Sequence, residues 1–350
     1  MKVFCYFVEP ASYTVDLSQN IHTKHGIDFA FIKDISVAKS TKKFKNFLFL
    51  SKISIFERLR YIYNICKQYD VIIINGYNNY VFILTFLYVL LNKSRKYIGI
   101  ESDTQLRIPS NVFKRVVKHI YLNFIFRKDY VFGFAGGSKI HKDLFRYYGM
   151  PEKNIFLIPM MVDNNKFFNN CNLSKESFIF LYVGRIIKRK NIEALIKCFL
   201  NAFPKEKAEL YIVGNGSMLN AIKSRYQHER IIYTGELFGE DLINIFHKAS
   251  VFVLPSFNEP WGLVINEALA SGLPVIVNKE VGAVYDLVYD RETGLVFTNN
   301  DEMSTAMLDL YNNVEKFQLF SKNGVKFMRD NWNYDLYLRC LNNVIKHISL

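Results

Sequence analysis

The sequence predicts an α/β fold with two doubly wound parallel-sheet domains, one after the other along the chain. Its 350 residues exceed one ordinary domain and suit two of about 170 residues each. Half of the residues are hydrophobic and 16% are aromatic, which provides for two cores. Short β-branched and aromatic runs alternate with longer helical stretches, the pattern of parallel sheets covered by helices.

The first half predicts a sheet whose strands are separated by helices such as 55–69 and 112–126. The predicted strands are Lys2–Phe7, Asp28–Ile32, Val71–Ile74, Lys96–Ile100 and Tyr130–Phe134. The longest apolar run, Tyr80–Leu91, is shorter than the ~20 residues that span a bilayer, so it is interpreted as a buried helix. The first residues lead to Glu9 and Pro10 without a small-residue cleavage site, which predicts a buried strand and not a signal peptide.

The second half predicts a second sheet, and a glycine-containing loop and a helix follow each of its first four strands. These strands and the next are Ile179–Val183, Leu210–Val213, Ile231–Tyr233, Val251–Leu254 and Val275–Val277. The polar stretch Pro159–Asn165 is typical of a linker, so we predict domains of residues 1–163 and 164–333. A last helix, about 334–350, is expected to pack back on the first domain. Doubly wound sheets bind ligands at the carboxyl ends of their strands, so a ligand cleft between the domains is expected.

Charge and cysteine content narrow the class of protein. Residues 1–170 contain 25 Lys and Arg against 12 Asp and Glu, so the whole net charge of +13 lies in the first half. The two halves are therefore expected to meet different partners. The five cysteines are scattered and lack metal-ligand spacing, which indicates reduced thiols in a cytoplasmic protein and no metal site.

A basic cluster follows the first strand of the second half. It reads Val183-Gly184-Arg185-Ile186-Ile187-Lys188-Arg189-Lys190-Asn191, and a helix is expected to begin near Asn191. Free amides at a helix N-terminus and cationic side chains suit a phosphate. A solvated basic turn explains the cluster equally well, so it does not decide the function alone.

Two further motifs follow later strands. Gly214-Asn215-Gly216 allows close approach of the backbone to a ligand, but the same residues form ordinary turns. After Leu254, a loop carries Glu259, and a helix expected to begin near Gly262 carries Glu267. Paired carboxylates suit sugar and ribose hydroxyls, yet this spacing alone is near chance.

In order, these motifs resemble those of the retaining glycosyltransferases of family four, which have the GT-B fold of two Rossmann-like domains facing across a cleft. The resemblance covers about 120 residues from Phe178 to Phe297 and is looser from Ser138 to Asp163. Its five parts are Gly184-Arg185 with Lys190, Gly214-Asn215-Gly216, Glu259 with Glu267, Val281-Gly282-Ala283 and the turn Thr293-Gly294-Leu295.

The resemblance implies a first domain for the acceptor and a second for a nucleotide-sugar donor. Arg185 and Lys190 would hold the diphosphate, Glu259 the sugar, and Glu267 the ribose. The expected catalytic residues are Glu259, Arg185, Lys190 and Asp103. The expected donor-binding residues are Gly184, Arg185, Lys190, Gly214, Gly216, Glu236, Leu237, Glu259, Trp261, Gly262, Leu263 and Glu267. Such enzymes use a front-face displacement and need neither a metal nor another cofactor.

Two features depart from the family. Its usual glycine pair after the first strand is replaced by Glu9-Pro10-Ala11-Ser12-Tyr13, and its usual histidine after the fourth strand is missing. Asp103 or Glu101 is expected to take the place of that histidine, although both also fit solvated loop acids.

Basic segments of the first half suggest an anionic membrane surface. Residues 112–121 interleave Lys and Arg with large apolar side chains, and Lys39–Lys52 has a similar character. A helix with one core face and one solvated basic face is the alternative. With the resemblance, the charge indicates a peripheral enzyme on the inner face of the cell membrane, whose acceptor is a lipid-linked glycan in polysaccharide or glycolipid synthesis.

Two other functions fit parts of the sequence. A GT-B nucleotide-sugar epimerase would share the donor motifs. A basic nucleic-acid-binding protein would share the charge, but no nucleic-acid motif accompanies it, so no nucleic-acid partner is expected. A UDP-sugar is the expected donor, and a GDP-sugar is the next choice.

Overall fold

A computed structural model describes residues 1–35, 47–92, 96–168, 177–205, 207–289 and 291–349. The chain forms two compact units, Met1–Met160 with Tyr334–Leu350, and Met161–Asn333. The predicted boundary lies between residues 163 and 164. No helix among the described residues combines the length and the apolarity needed to cross a bilayer.

The first unit contains one parallel six-stranded sheet. Its strands are β1 Val3–Phe7, β2 Asp28–Phe31, β3 Val71–Asn75, β4 Tyr97–Ser102, β5 Val131–Ala135 and β6 Ile155–Leu157, in the order β2-β1-β3-β4-β5-β6. Its helices along the chain are α1 Ser12–His25, α2 Ile55–Gln68, α3 Tyr80–Asn92, α4 Val112–Phe126 and α5 Lys142–Tyr147. Caps fix two of them, since Ser54 and Glu57 form a capping box on α2 and Asn111 caps α4.

One core lies under α2, α3 and α4. Alternate strand residues such as Phe4, Ile72 and Ile98 pack there against buried residues of the three helices. The prediction that the apolar run of α3 is a buried helix is wrong for one of its faces, because Ile83 and Leu91 are exposed. The basic segment Lys39–Lys52 lies largely outside the described residues.

The second unit repeats the architecture. Its strands are β7 Phe178–Val183, β8 Ala208–Val213, β9 Ile231–Gly235, β10 Val251–Leu254, β11 Val275–Asn278 and β12 Gly294–Phe297, in the order β12-β11-β10-β7-β8-β9. Its helices are α6 Ile192–Ala202, α7 Leu219–Arg225, α8 Gly239–Lys248, α9 Val264–Ala270, α10 Val284–Leu287, α11 Asn300–Asn312 and α12 Val314–Asp330. The order of the strands reverses between β7 and β10, and such a reversal opens a crevice at the carboxyl ends of the two strands.

The prediction of a turn at Thr293-Gly294-Leu295 is wrong, because two of these residues belong to a strand. Gly294 and Leu295 begin β12 and pair with Val275 and Ile276 of β11. A β-carbon at Gly294 would lie 2.1 Å from the carbonyl oxygen of Val275, so glycine is required for this pairing and not for a turn.

The final helix, α13 Tyr334–Ser349, belongs to the first unit by its contacts. Its His347 ring packs against the rings of Phe132 and Phe156 on the sheet, and Tyr337 is fully buried.

Candidate functional site

The loops after β7 and β10 meet at the point where the strand order of the second unit reverses. Residues 184–191 form the first loop and residues 255–263 form the second. Backbone contacts join them, since the Phe257 amide donates to the carbonyl oxygen of Arg189 at 2.8 Å. The two loops therefore place the predicted Arg185, Lys190 and Glu259 in one region.

A buried ion pair lies at the centre of this region. Lys190 Nζ donates to Glu259 Oε2 at 2.6 Å, and the two side chains are only 10% and 12% exposed. Burial lowers the pKa of Lys190 below its ordinary value, while the charge and hydrogen bond of Glu259 oppose that shift. A charged pair held so deep is positioned by the fold, and it provides one cation and one hydroxyl acceptor side by side.

Two arginines add positive charge around the pair. The guanidinium of Arg185 is exposed and forms no hydrogen bond or ion pair with any described residue. Its carbonyl oxygen accepts from the Tyr182 hydroxyl at 3.0 Å, which holds the loop in place. Arg189, which the sequence analysis did not select, donates to the Asn258 carbonyl at 3.3 Å and lies 3.9 Å from Glu259 Oε2. Its only signal in the sequence was its place in the basic cluster.

Glu267 is half-buried on the first turn of α9. Its amide donates to the Leu263 carbonyl, but its carboxylate forms no hydrogen bond or ion pair within the described part of the chain. Burial raises the pKa of this carboxyl to about 8. Because the Glu267 carboxyl makes no such bond there, its oxygens are available to hydrogen-bond a ligand.

The backbone at residues 262 and 263 has free donors. In the described ranges, the amides of Gly262 and Leu263 find no protein acceptor. Gly262 adopts a φ of 94°, and a β-carbon there would touch Val281 and Leu254. The amide of Gly282 in turn donates to the Glu259 carbonyl at 3.1 Å, so the glycine-containing segment 281–283 supports the second loop.

The glycines after β7 and β8 pack against each other. A β-carbon at Gly214 would lie 1.9 Å from the carbonyl oxygen of Gly184, and one at Gly216 would lie 2.3 Å from that of Ile186. The Ile186 amide donates to the Asn215 carbonyl at 2.8 Å. Contact between the two loops therefore accounts for these glycines, for which close approach to a ligand and an ordinary turn were the predicted alternatives.

Three other predicted residues lie at or beside these loops. The exposed Glu236 and the half-buried Leu237 follow β9, and the carbonyl of Gly235 before them accepts from the Gly214 amide. The Trp261 side chain is buried, donates to Asn266 Oδ1 at 2.9 Å and stacks on Trp332. Its indole thus anchors the loop.

Sequence reasoning also missed a hydroxyl and a strained asparagine. The Ser256 hydroxyl is buried and has no hydrogen-bond partner among the described atoms. Asn258 adopts a φ of 52°, and its amide donates to Glu280 Oε2 at 3.1 Å. An asparagine in a loop is the only sequence signal for such a backbone conformation.

Asp103 and Glu101 belong to the first unit. Glu101 is buried on β4 and hydrogen-bonded to Asn75, and Asp103 follows the strand in a half-buried loop. Burial raises the pKa of Glu101 to about 7, the Asn75 hydrogen bond lowers it, and Asp103 raises it further. Glu101 is thus not a solvated loop acid. The described residues contain no group of three His, Cys, Asp or Glu that could hold a metal ion.

Comparison with known proteins agrees with the position of this region. Residues 163–327 match the family model described as glycosyl transferases group 1. The mannosylfructose-phosphate synthase of Agrobacterium fabrum is 30% identical over 166 residues, which are 41% of this chain and 37% of that protein. The alpha-monoglucosyldiacylglycerol synthase of Streptococcus pneumoniae is 30% identical over 136 residues, which are 37% of this chain and 30% of that protein. The matches thus span about a third of these relatives.

A solved structure resembles the whole chain. HepE of Anabaena in complex with UDP-glucose superposes with a TM-score of 0.73 over 100% of this chain and 99% of that one, at 15% identity. Together with the two six-stranded parallel sheets, this similarity confirms the predicted GT-B fold of two Rossmann-like domains.

Proposed function

We propose that this protein is a retaining glycosyltransferase that moves a sugar from a nucleoside diphosphate sugar to a hydroxyl acceptor. One observation carries the proposal, namely the buried Lys190–Glu259 pair beside the unpaired Arg185 at the reversal of the strand order. This arrangement combines cations for a diphosphate with a carboxylate for sugar hydroxyls. The family match over residues 163–327 supports it.

The roles follow from the chemistry of each group. Arg185 and Lys190 bind the diphosphate and offset the charge that develops when it leaves. The amides of Gly262 and Leu263 assist them, Glu259 orients the sugar, and Glu267 accepts from the ribose hydroxyls. Residues 234–237 lie beside the base, and Asp103 is assigned to the sugar.

The proposed reaction is a front-face displacement. The acceptor oxygen forms a bond to the anomeric carbon as the bond from that carbon to the diphosphate oxygen breaks. The departing diphosphate oxygen takes the proton of the acceptor hydroxyl, so no protein nucleophile takes part. Cationic side chains supply the charge neutralisation, and the proposal needs no metal or other cofactor.

The acceptor and the location are proposed from charge and from the relatives. We assign a lipid-linked glycan acceptor on the inner face of the cell membrane, in polysaccharide or glycolipid synthesis. One relative is named alpha-monoglucosyldiacylglycerol synthase, and all of the net positive charge lies in residues 1–170. UDP-glucose in the HepE complex makes a UDP-sugar the first donor to test, with GDP-sugars next.

Nucleotide release with a panel of UDP-, GDP- and ADP-sugars tests the proposal. We expect release with one donor and a loss of about 100-fold or more in kcat/KM for Arg185→Ala. Lys223 is an exposed lysine on α7. The variant Lys223→Ala is the matched control and should leave kcat/KM unchanged. Silence with every donor would reject the proposal, and a converted donor sugar without any acceptor would show an epimerase instead.

A further inference from the structure

The outer faces of α2, α3 and α4 expose large apolar side chains. Of the 23 large hydrophobic residues that are exposed among those described, 15 belong to these three helices. The helices lie side by side on one core, because Tyr63 of α2 contacts Tyr88 of α3, and Phe86 of α3 contacts Phe124 of α4. Their outer faces therefore form one surface, called here the three-helix face.

The first part of α4 is the most unusual element of this face. Between residues 112 and 121 every side chain is exposed except the half-buried Lys118, and the buried residues of the helix begin only at Leu122. The exposed apolar residues Val112, Phe113, Val116, Val117, Ile120 and Phe124 fall within an arc of about 140° on a helical wheel. The core-facing Leu122, Ile125 and Phe126 lie on the opposite side. The alternative of one core face and one solvated basic face is thus wrong for residues 112–121.

The other two helices extend the apolar surface. Phe56 on α2 is 85% exposed, and Ile55, Leu59 and Tyr63 share its side of the helix. On α3, Tyr80, Ile83, Leu87 and Leu91 recur at helical spacing, and Leu91 is 77% exposed. An apolar surface of this extent indicates a docking surface.

Charge selects the kind of partner. The three helices contain six Lys and Arg and one acid, Glu57. A second copy of the chain would bring like charges together, and a nucleic acid would leave the apolar stripe in water. An anionic lipid bilayer satisfies both features, because its headgroups attract the cations and its acyl boundary accepts the apolar residues.

We propose that the three-helix face is the membrane-docking surface of the protein, with α4 lying in the plane of an anionic bilayer. Phe113, Val117 and Leu91 enter the acyl boundary, while Lys114 and Arg115 contact lipid phosphates. The inference rests on the membrane location proposed above and identifies the surface responsible. It does not depend on the transfer chemistry of the second unit.

Sedimentation of the 350-residue chain with vesicles tests this docking surface. We expect the protein to sediment with vesicles of phosphatidylglycerol and phosphatidylcholine and to remain in solution with phosphatidylcholine alone. Phe113→Ser/Val117→Ser and Lys114→Glu/Arg115→Glu should each lower the partition coefficient about tenfold or more. The matched controls Leu319→Ser and Lys223→Glu change an exposed apolar residue and an exposed lysine of the second unit, and both should bind as the wild type does.

Four results would overturn the docking surface. Two concern the wild type, namely that it does not sediment with vesicles or that it sediments equally with neutral vesicles. The others are that both double variants bind as the wild type does, and that the chain is a dimer which Phe113→Ser/Val117→Ser converts to a monomer. Because the changed residues are exposed, circular dichroism should show unaltered melting for every variant. Thermal shift with UDP is run in parallel, so that a chain that docks but binds no nucleotide would reject the proposed reaction and leave the surface in place.

Discussion

At the scale of single residues, the Lys190–Glu259 pair dominates the electrostatics of the candidate site. Both side chains are nearly buried, and each charge is compensated mainly by the other. Removal of one partner leaves the other charge buried without its closest counter-charge, which costs more than the pair gains when formed. The pair is therefore a structural feature of the free protein as well as the proposed contact for the donor.

Lys190→Ala should lower the free energy of unfolding by about 3 kcal/mol, because the buried Glu259 carboxylate loses its partner at 2.6 Å and keeps Arg189 only at 3.9 Å. Urea denaturation measures this loss. Lys190→Ala/Glu259→Ala should be less destabilised than the sum of the single variants, since it removes both buried charges together. Additive single effects would show that the pair does not couple.

Glu267 predicts a distinct dependence of stability on pH. Its pKa is about 8 in the folded chain against 4.5 as the ordinary value. The folded state thus keeps the proton that the unfolded state loses, and stability falls as pH rises from 4.5 to 8, by at most about 1.4 kcal/mol per pH unit. Glu267→Gln should remove this component, so its stability relative to the wild type should increase over that range. Urea denaturation at several pH values measures the difference, and parallel curves for the two proteins would contradict it.

At the scale of elements, the sequence predicts what local chemistry determines. Strands such as Val251–Leu254 and the helix 112–126 agree with the structure because apolar runs and caps define them. The exposed side of α3 was not predictable, since hydrophobicity identifies an apolar side chain but not whether a neighbour covers it. The contact of Gly294 with Val275 likewise depends on a strand pairing that no local pattern encodes.

The loop-to-loop contact after β7 and β8 gives a prediction at this scale. Gly214→Ala should destabilise the chain by about 3 kcal/mol or more, because its β-carbon would overlap the Gly184 carbonyl and its φ is 138°. It should also weaken nucleotide binding by displacing the loop that carries Arg185. Thermal melting and titration with UDP measure the two effects.

Gly235→Ala is the matched control for that change. It has a φ of 76° but no atom within 4 Å of its β-carbon, so only the backbone strain of about 1–2 kcal/mol applies. Equal losses for the two variants would mean that the contact between the loops contributes nothing.

At the scale of the whole molecule, the chain forms its first unit from two separate stretches. Residues Met161–Asn333 are continuous, whereas the first unit needs α13 from the far end of the sequence. α13 buries Tyr337, Leu341, Val344 and Ile348. At about 2 kcal/mol each, these side chains contribute about 8 kcal/mol, comparable with the 5–15 kcal/mol that stabilises a whole domain.

Truncation after Asn333 should therefore unfold the first unit and spare the second. Limited proteolysis should degrade residues 1–160 of the truncated chain and leave a resistant fragment near residues 161–333. That fragment should retain a thermal shift with UDP, because Arg185, Lys190, Glu259 and Glu267 all lie within it. Protection of both units in the truncated chain would show that α13 is dispensable for the first sheet. Loss of both would show that the second unit does not fold alone.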